Sequence, residues 1–162
     1  MMLKEFSNDI LREISERFPE ASAKVHAARR VYIRIARDRT HELAQFLFRD
    51  KGFRLSTATG IDTREGIEIL YHFSHDEAGT YYNLKTVVPK DDLQIRSLTD
   101  FLPAADWIER EIHELLGVNF VGHPNLKPLL TPESWPSDLY PLRRDYDNEH
   151  EKLEIDKKKG GS

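Results

Sequence analysis

Among the first twenty residues, Leu3, Phe6, Ile10, Leu11, Ile14 and Phe18 recur at three- and four-residue steps until Pro19. That spacing predicts an amphipathic helix ended by the proline. In VYIRIAR the period changes to two: Val31, Ile33 and Ile35 alternate with Tyr32, Arg34 and Ala36, as in a half-buried strand. Thr40 reads as the N-cap of a second helix carrying Leu43, Ala44, Phe46 and Leu47, with Gly52 as its stop. Three strand-like runs follow, FRLSTATGI, IEILYHFS and TYYNLKTVV, joined by the turn sequences DTREG and HDEAG and closed by Pro89. They predict an antiparallel meander. In its third strand Tyr82, Leu84, Thr86 and Val88 share one face, which should lie on helices, and the other face is left for solvent or a partner.

From Pro103 to Leu116 the chain has a proline in the first turn, a continuous helix-forming body and Gly117 just beyond its end. Five of the eight prolines then fall between 124 and 141, too close together for a helix or a central strand, yet leucines and aromatics lie among them. The pattern predicts an α+β body over residues 1–117, with a small, mainly antiparallel sheet packed on helices. An extended proline-rich arm over 118–146 and a flexible polar tail over 147–162 complete the expected organisation.

Spaced at about 100° per residue, the helix puts Ala104, Trp107, Ile108, Ile112, Leu115 and Leu116 on one broad apolar arc, with Glu111 inside it. A carboxylate buried in such a face costs several kcal/mol unless it is paired or hydrogen-bonded. Glu111 therefore predicts a basic partner from elsewhere, with Arg143 and Arg144 as candidates. Glu109, Arg110, His113 and Glu114 project to the other side, where Arg110 reaches Asp106 or Glu114 and Glu109 reaches His113, as a solvated or a docking face. His113-Glu114 also resembles the start of a zinc-hydrolase helix, but the second histidine would have to stand at 117, which is glycine. His123 offers a ligand only from a separate loop, and spacing indicates no third.

Composition narrows the chemistry. The 162 residues suit one domain. With 24 basic and 28 acidic residues well mixed, the net charge of −4 disfavours a nucleic-acid partner. No apolar run has the length of a membrane span, so a soluble, cytosolic body is expected. The absence of cysteine removes disulfides, thiolate nucleophiles and cysteine-ligated zinc or iron–sulfur clusters.

The run Glu109-Arg110-Glu111, then Glu114, His123, Lys127, Leu129 and Leu130 resembles the signature of the 30 kDa subunit of respiratory complex I and its counterparts in membrane-bound nickel–iron hydrogenases. PAADWIERE before it, GHPNLKPLLTPESWP after it and the meander turns extend the likeness over roughly residues 29–146. His113-Glu114-Leu-Leu-Gly-Val looks more like the hydrogenase branch. The resemblance implies a non-catalytic subunit in the peripheral arm of a membrane-bound oxidoreductase, on the cytoplasmic side and attached to the membrane only through the complex. It implies no cofactor in this chain and a nickel–iron centre, iron–sulfur clusters or quinone in the partners. Those partners are a large catalytic subunit, here a separate polypeptide, and other peripheral-arm subunits. On this reading Glu109, Arg110, Glu111, His113, Glu114 and His123 orient and dock. Pro124, Leu126, Leu129, Trp135, Tyr140, Arg143, Arg144 and Asp145 supply the gripping arm. Two other readings stay open on the residues alone: a metal-dependent hydrolase using His113, Glu114 and His123, and an independent binding module whose arm folds back on its own core.

Overall fold

The computed structural model describes residues 2–147, with side chains from Asp9 onward. The expected polar tail beyond 147, and the side chains of Leu3 and Phe6, lie outside the described residues. Helix α1, Met2–Arg17, buries Ile10 and Ile14, with Phe18 just after it, as the three- and four-residue spacing requires. Helix α2, Arg37–Gln45, begins at Ala36 and not at Thr40. Thr40 is buried within the helix, and its hydroxyl donates 3.0 Å to the Ala36 carbonyl one turn back, an alternative to capping for a threonine. Phe46–Asp50 continue α2 as a wider π turn before Gly52 stops it at φ +69°.

The meander forms as β3, Arg54–Asp62, β4, Ile67–His75, and β5, Thr80–Val88, paired antiparallel. Two further strands precede it, β1, Ser22–Ala27, and β2, Arg30–Arg34, and the sheet order is β1-β2-β5-β4-β3. The β2–β5 pair is parallel, so the sheet is mainly but not wholly antiparallel. β1 had no signal in the pattern because all six of its residues are exposed at a sheet edge, where no alternation is imposed. Ile67, Ile69, Tyr71 and Phe73 of β4 and Tyr82, Leu84 and Val88 of β5 share one buried face with α1, α2 and the last helix. On the opposite face Glu68, Leu70 and His72 are half-buried, and His72 Nδ1 donates 2.6 Å to Asn83 Oδ1, whose amide nitrogen donates 3.1 Å to the Val31 carbonyl.

Two three-residue strands, β6, Gln94–Arg96, and β7, Asn119–Val121, pair in parallel. Between them a 3₁₀ turn at Pro103–Ala105 opens α3, Asp106–Leu116, which ends at Gly117 with φ +76°. α3 packs on β3 at Gly60, where a Cβ would stand 2.4 Å from Leu116 Cδ1 and 3.3 Å from Ile112 Cγ2. That close approach sets the rotation of the helix. Ala105, Glu109, Ile112 and Leu116 turn inward, whereas Trp107, placed by sequence in the apolar arc, is 68% exposed.

Gly117 is required twice over, by its left-handed backbone and because a Cβ there would stand 2.7 Å from Tyr140 Cζ and Arg143 Nη2. Gly117→Ala is expected to destabilise the chain by about 1–3 kcal/mol. An unchanged urea midpoint would contradict this packing.

Candidate functional site

α3 faces two ways, and both faces carry a buried carboxylate. Glu109 is fully buried; its Oε2 accepts the Ser97 hydroxyl at 2.5 Å and its Oε1 the Leu98 amide at 2.8 Å. The same serine oxygen accepts the Thr99 amide at 3.1 Å, so one side chain fixes the loop between β6 and the 3₁₀ turn. Burial pushes the Glu109 carboxyl up to about 7; the two donors oppose this, and Asp100 and Asp106 add to it. Glu109 therefore does not reach His113 on a solvated face.

On the other flank Asp106, Arg110 and Glu114 form a stripe with one residue per turn, about 6 Å apart along the axis. Each holds the next part of the arm. The buried His123 ring donates from Nε2 to the Asp106 carbonyl at 3.1 Å, and its Nδ1 accepts the Asn125 amide at 3.0 Å. Arg110 donates through Nε to the Lys127 carbonyl at 3.0 Å and through Nη2 to the Pro128 carbonyl at 3.1 Å. Glu114, 7% exposed, accepts the amides of Leu129 and Leu130 at 2.9 Å each, that of Thr131 at 2.5 Å and the Thr131 hydroxyl. Burial alone would raise the Glu114 carboxyl, but these four donors outweigh it and hold it at about 2.

The arm then turns back over the end of α3. Trp135 Nε1 donates 2.8 Å to the Leu139 carbonyl, and Leu139 is buried. The Leu142 amide and Arg143 Nε donate to the Leu115 and Leu116 carbonyls at 3.1 and 2.6 Å, so a cation sits at the negative end of the helix. Arg143 lies over the Tyr140 ring, 5.0 Å from its centroid. The Arg144 amide donates 3.0 Å to the side chain of Asp62, itself paired to Lys90 at 2.6 Å.

These contacts correct the expected pairing of Glu111. It is exposed, with no hydrogen bond or ion pair among the described residues, and Arg143 and Arg144 serve α3's last carbonyls and β3's last residue instead. The two carboxylates that α3 does bury are Glu109, on its inward face, and Glu114, under the arm. Ser97, Thr131 and Asp62 escape a reading of the sequence, because small polar side chains in loops and at strand ends carry no periodic signal. Within the arm, Leu126 packs on the core and Leu129, Trp135 and Tyr140 are half-buried, whereas Pro124, Leu130, Arg144 and Asp145 remain exposed.

His113, Glu114 and His123 do not converge on a metal site. His113 donates from Nδ1 to the Val118 carbonyl at 2.8 Å, both His123 nitrogens are engaged, and both Glu114 oxygens bind the arm. Among the described residues no group of three or more ligand side chains stands within reach of one ion. No described helix is long and apolar enough to cross a membrane.

Residues 33–152 match the family model of the respiratory-chain NADH dehydrogenase 30 kDa subunit, and the match spans the α3 stripe and the arm that it holds. The chain belongs to this family. Among its relatives, a component of the F420H2 dehydrogenase of Methanosarcina mazei is 32% identical over 143 residues, 85% of this chain and 90% of that one. The C/D polypeptide of the NADH-quinone oxidoreductase of Aeromonas salmonicida is 40% identical over 78 residues, 48% of this chain but 13% of that longer protein. Among solved structures, a chain of the membrane-bound sulfane sulfur reductase, an archaeal respiratory membrane complex, superposes with a TM-score of 0.80 at 28% identity, covering 92% of this chain and 90% of that one. As a member of the 30 kDa family, the chain is a component of complex I-related respiratory complexes.

The two carboxylates push stability in opposite directions with pH. Glu114, held at about 2, contributes stability that is complete above its unfolded value near 4.5 and lost as pH falls toward 2, on the order of 3 kcal/mol. Glu109, raised to about 7, contributes stability that is present below about 4.5 and lost as pH rises through 7, of similar order. Urea denaturation across pH should show Glu114→Gln flattening the acid limb and Glu109→Gln flattening the limb between 4.5 and 7. Profiles parallel to the parent's would contradict both assignments.

Proposed function

We propose that this chain is a non-catalytic docking subunit of a membrane-bound respiratory oxidoreductase related to complex I. It sits peripherally on the cytoplasmic side and positions the large catalytic subunit for electron transfer coupled to ion translocation. One observation carries the reading. The groups best suited to acid–base or metal chemistry, Glu109, Glu114 and His123, are each saturated by backbone or hydroxyl partners of this same chain. They are buried and engaged in setting a shape. That shape presents Leu130, 60% exposed, and Leu142, 57% exposed, on an arm fixed at both ends, which suits a preorganised contact with a partner.

The C/D name of the longer relatives, in which a region like this chain is one part of a single polypeptide, supports a D-type large subunit as the neighbour. The redox groups, whether a nickel–iron centre, iron–sulfur clusters or a quinone site, then belong to partners. The hydrogenase form of this reading rests on His113-Glu114 before Leu115. The relatives are named for F420H2, NADH or sulfane sulfur, so donor and acceptor follow the partner subunits and not this chain.

Co-expression with the large subunit tests the docking role. Arg110→Ala with Glu114→Ala should free the arm and lower recovery of the large subunit about tenfold, equivalent to about 1.4 kcal/mol of lost affinity, while circular dichroism still reports the sheet. Undiminished recovery, or substrate turnover by the isolated chain, would overturn the proposal.

A further inference from the structure

β3 is an outermost strand of the sheet, and none of the N–H and C=O groups along its outer edge between Leu55 and Ile61 has a backbone partner among the described residues. Proteins guard such edges with charge, proline, bulges or shortness. The opposite edge, β1, is guarded: it is six residues long, carries Lys24 and is irregular between Val25 and Ala27. β3 is nine residues long, and its middle, LSTATGI, has neither charge nor proline. Its one irregularity lies between Leu55 and Thr57, which leaves 57–62 in regular register.

The unguarded edge opens into a cleft of about 270 Å³ between β3 and α3. Thr57 and Thr59 line one wall, and Ile108, Glu111, Leu115 and Leu142 line the other. Trp107 lies one helical turn before Glu111 on the same flank, 68% exposed, and Ile61 at the strand's end is 45% exposed. Half of the apolar arc predicted from sequence is therefore real but uncovered. Glu111 is the one charged side chain lining the cleft, and it has no hydrogen bond or ion pair among the described residues.

We infer that this edge receives an extended segment of the large subunit as a sixth strand. Alternate side chains of the segment enter the cleft, and one of them is a lysine or arginine facing Glu111. The inference rests on the docking reading above. Strand addition fits because it satisfies every second N–H and C=O along the edge, which a helix laid in the cleft would leave unpaired from β3. A second copy of this chain fits less well, since a two-fold pairing of β3 edges would bring two Glu111 carboxylates into one interface.

Hydrogen–deuterium exchange of the full chain, alone and bound to the large subunit, tests the placement. In the complex the peptide covering 55–61 should exchange about tenfold more slowly or better, corresponding to at least about 1.4 kcal/mol of added protection. Glu111→Lys should weaken the complex by about tenfold and Glu111→Gln by less, both variants keeping the parent's unfolding midpoint because the site is exposed. A complex that forms and protects the arm but not 55–61 overturns the strand addition and leaves the docking reading standing. Failure of any complex to form overturns both. A dimer of the chain alone with 55–61 protected assigns the edge to a second copy and overturns the inference, and unchanged binding by Glu111→Lys overturns the basic side chain opposite it.

Discussion

Three consecutive backbone amides, those of Leu129, Leu130 and Thr131, converge on the carboxylate of Glu114, and the shape of the described arm depends on that convergence. A proline-rich segment cannot satisfy its own amides through a helix or a central strand. A buried carboxylate cannot stay ionised without donors. Each resolves the other's deficit. Arg110 of α3 does the same for two carbonyls just before, and in the reverse sense Arg143 of the arm caps the Leu116 carbonyl of α3, so charged side chains order the arm from both sides. Charge-assisted hydrogen bonds of this kind are stronger than neutral ones, which suits a segment with little core of its own.

The arrangement explains why acidic and basic side chains cluster on α3: they hold irregular backbone on either side of it. Glu109, on the inward face, fixes the loop before α3, and the stripe of Asp106, Arg110 and Glu114 fixes the arm after it. Between these two anchored segments the remaining flank of α3, with Trp107, Glu111 and Leu115, is left uncovered beside the free edge of β3. A helix held on two sides and open on a third is the template that the proposed docking requires.

Much of this was legible in the residues. The meander and its turns, both ends of α3 at Pro103 and Gly117, and the α+β class follow from local periodicity and turn chemistry. The residues that carried the family resemblance lie within the stretch that matches the family model. The roles of its acids were not legible, because a broad apolar arc does not say which half of it meets the sheet; Gly60, distant in sequence, decides that. Glu111 therefore looked like the buried carboxylate when Glu109 and Glu114 are. β1, β6 and β7 escaped for a related reason: short strands with exposed or non-local pairings leave little pattern. The arm's prolines suggested a segment awaiting a partner, whereas its backbone is already held by α3 and only part of its apolar surface remains open.

An ionised Glu114 anchors the arm. A pH titration by NMR, following the Glu114 side-chain carbon together with the amides of Leu129, Leu130 and Thr131, reads it directly. A Glu114 midpoint near 2, with the three amides shifting in step, is the expected result. A midpoint in the ordinary carboxylate range, with the three amides indifferent to it, would contradict that anchoring.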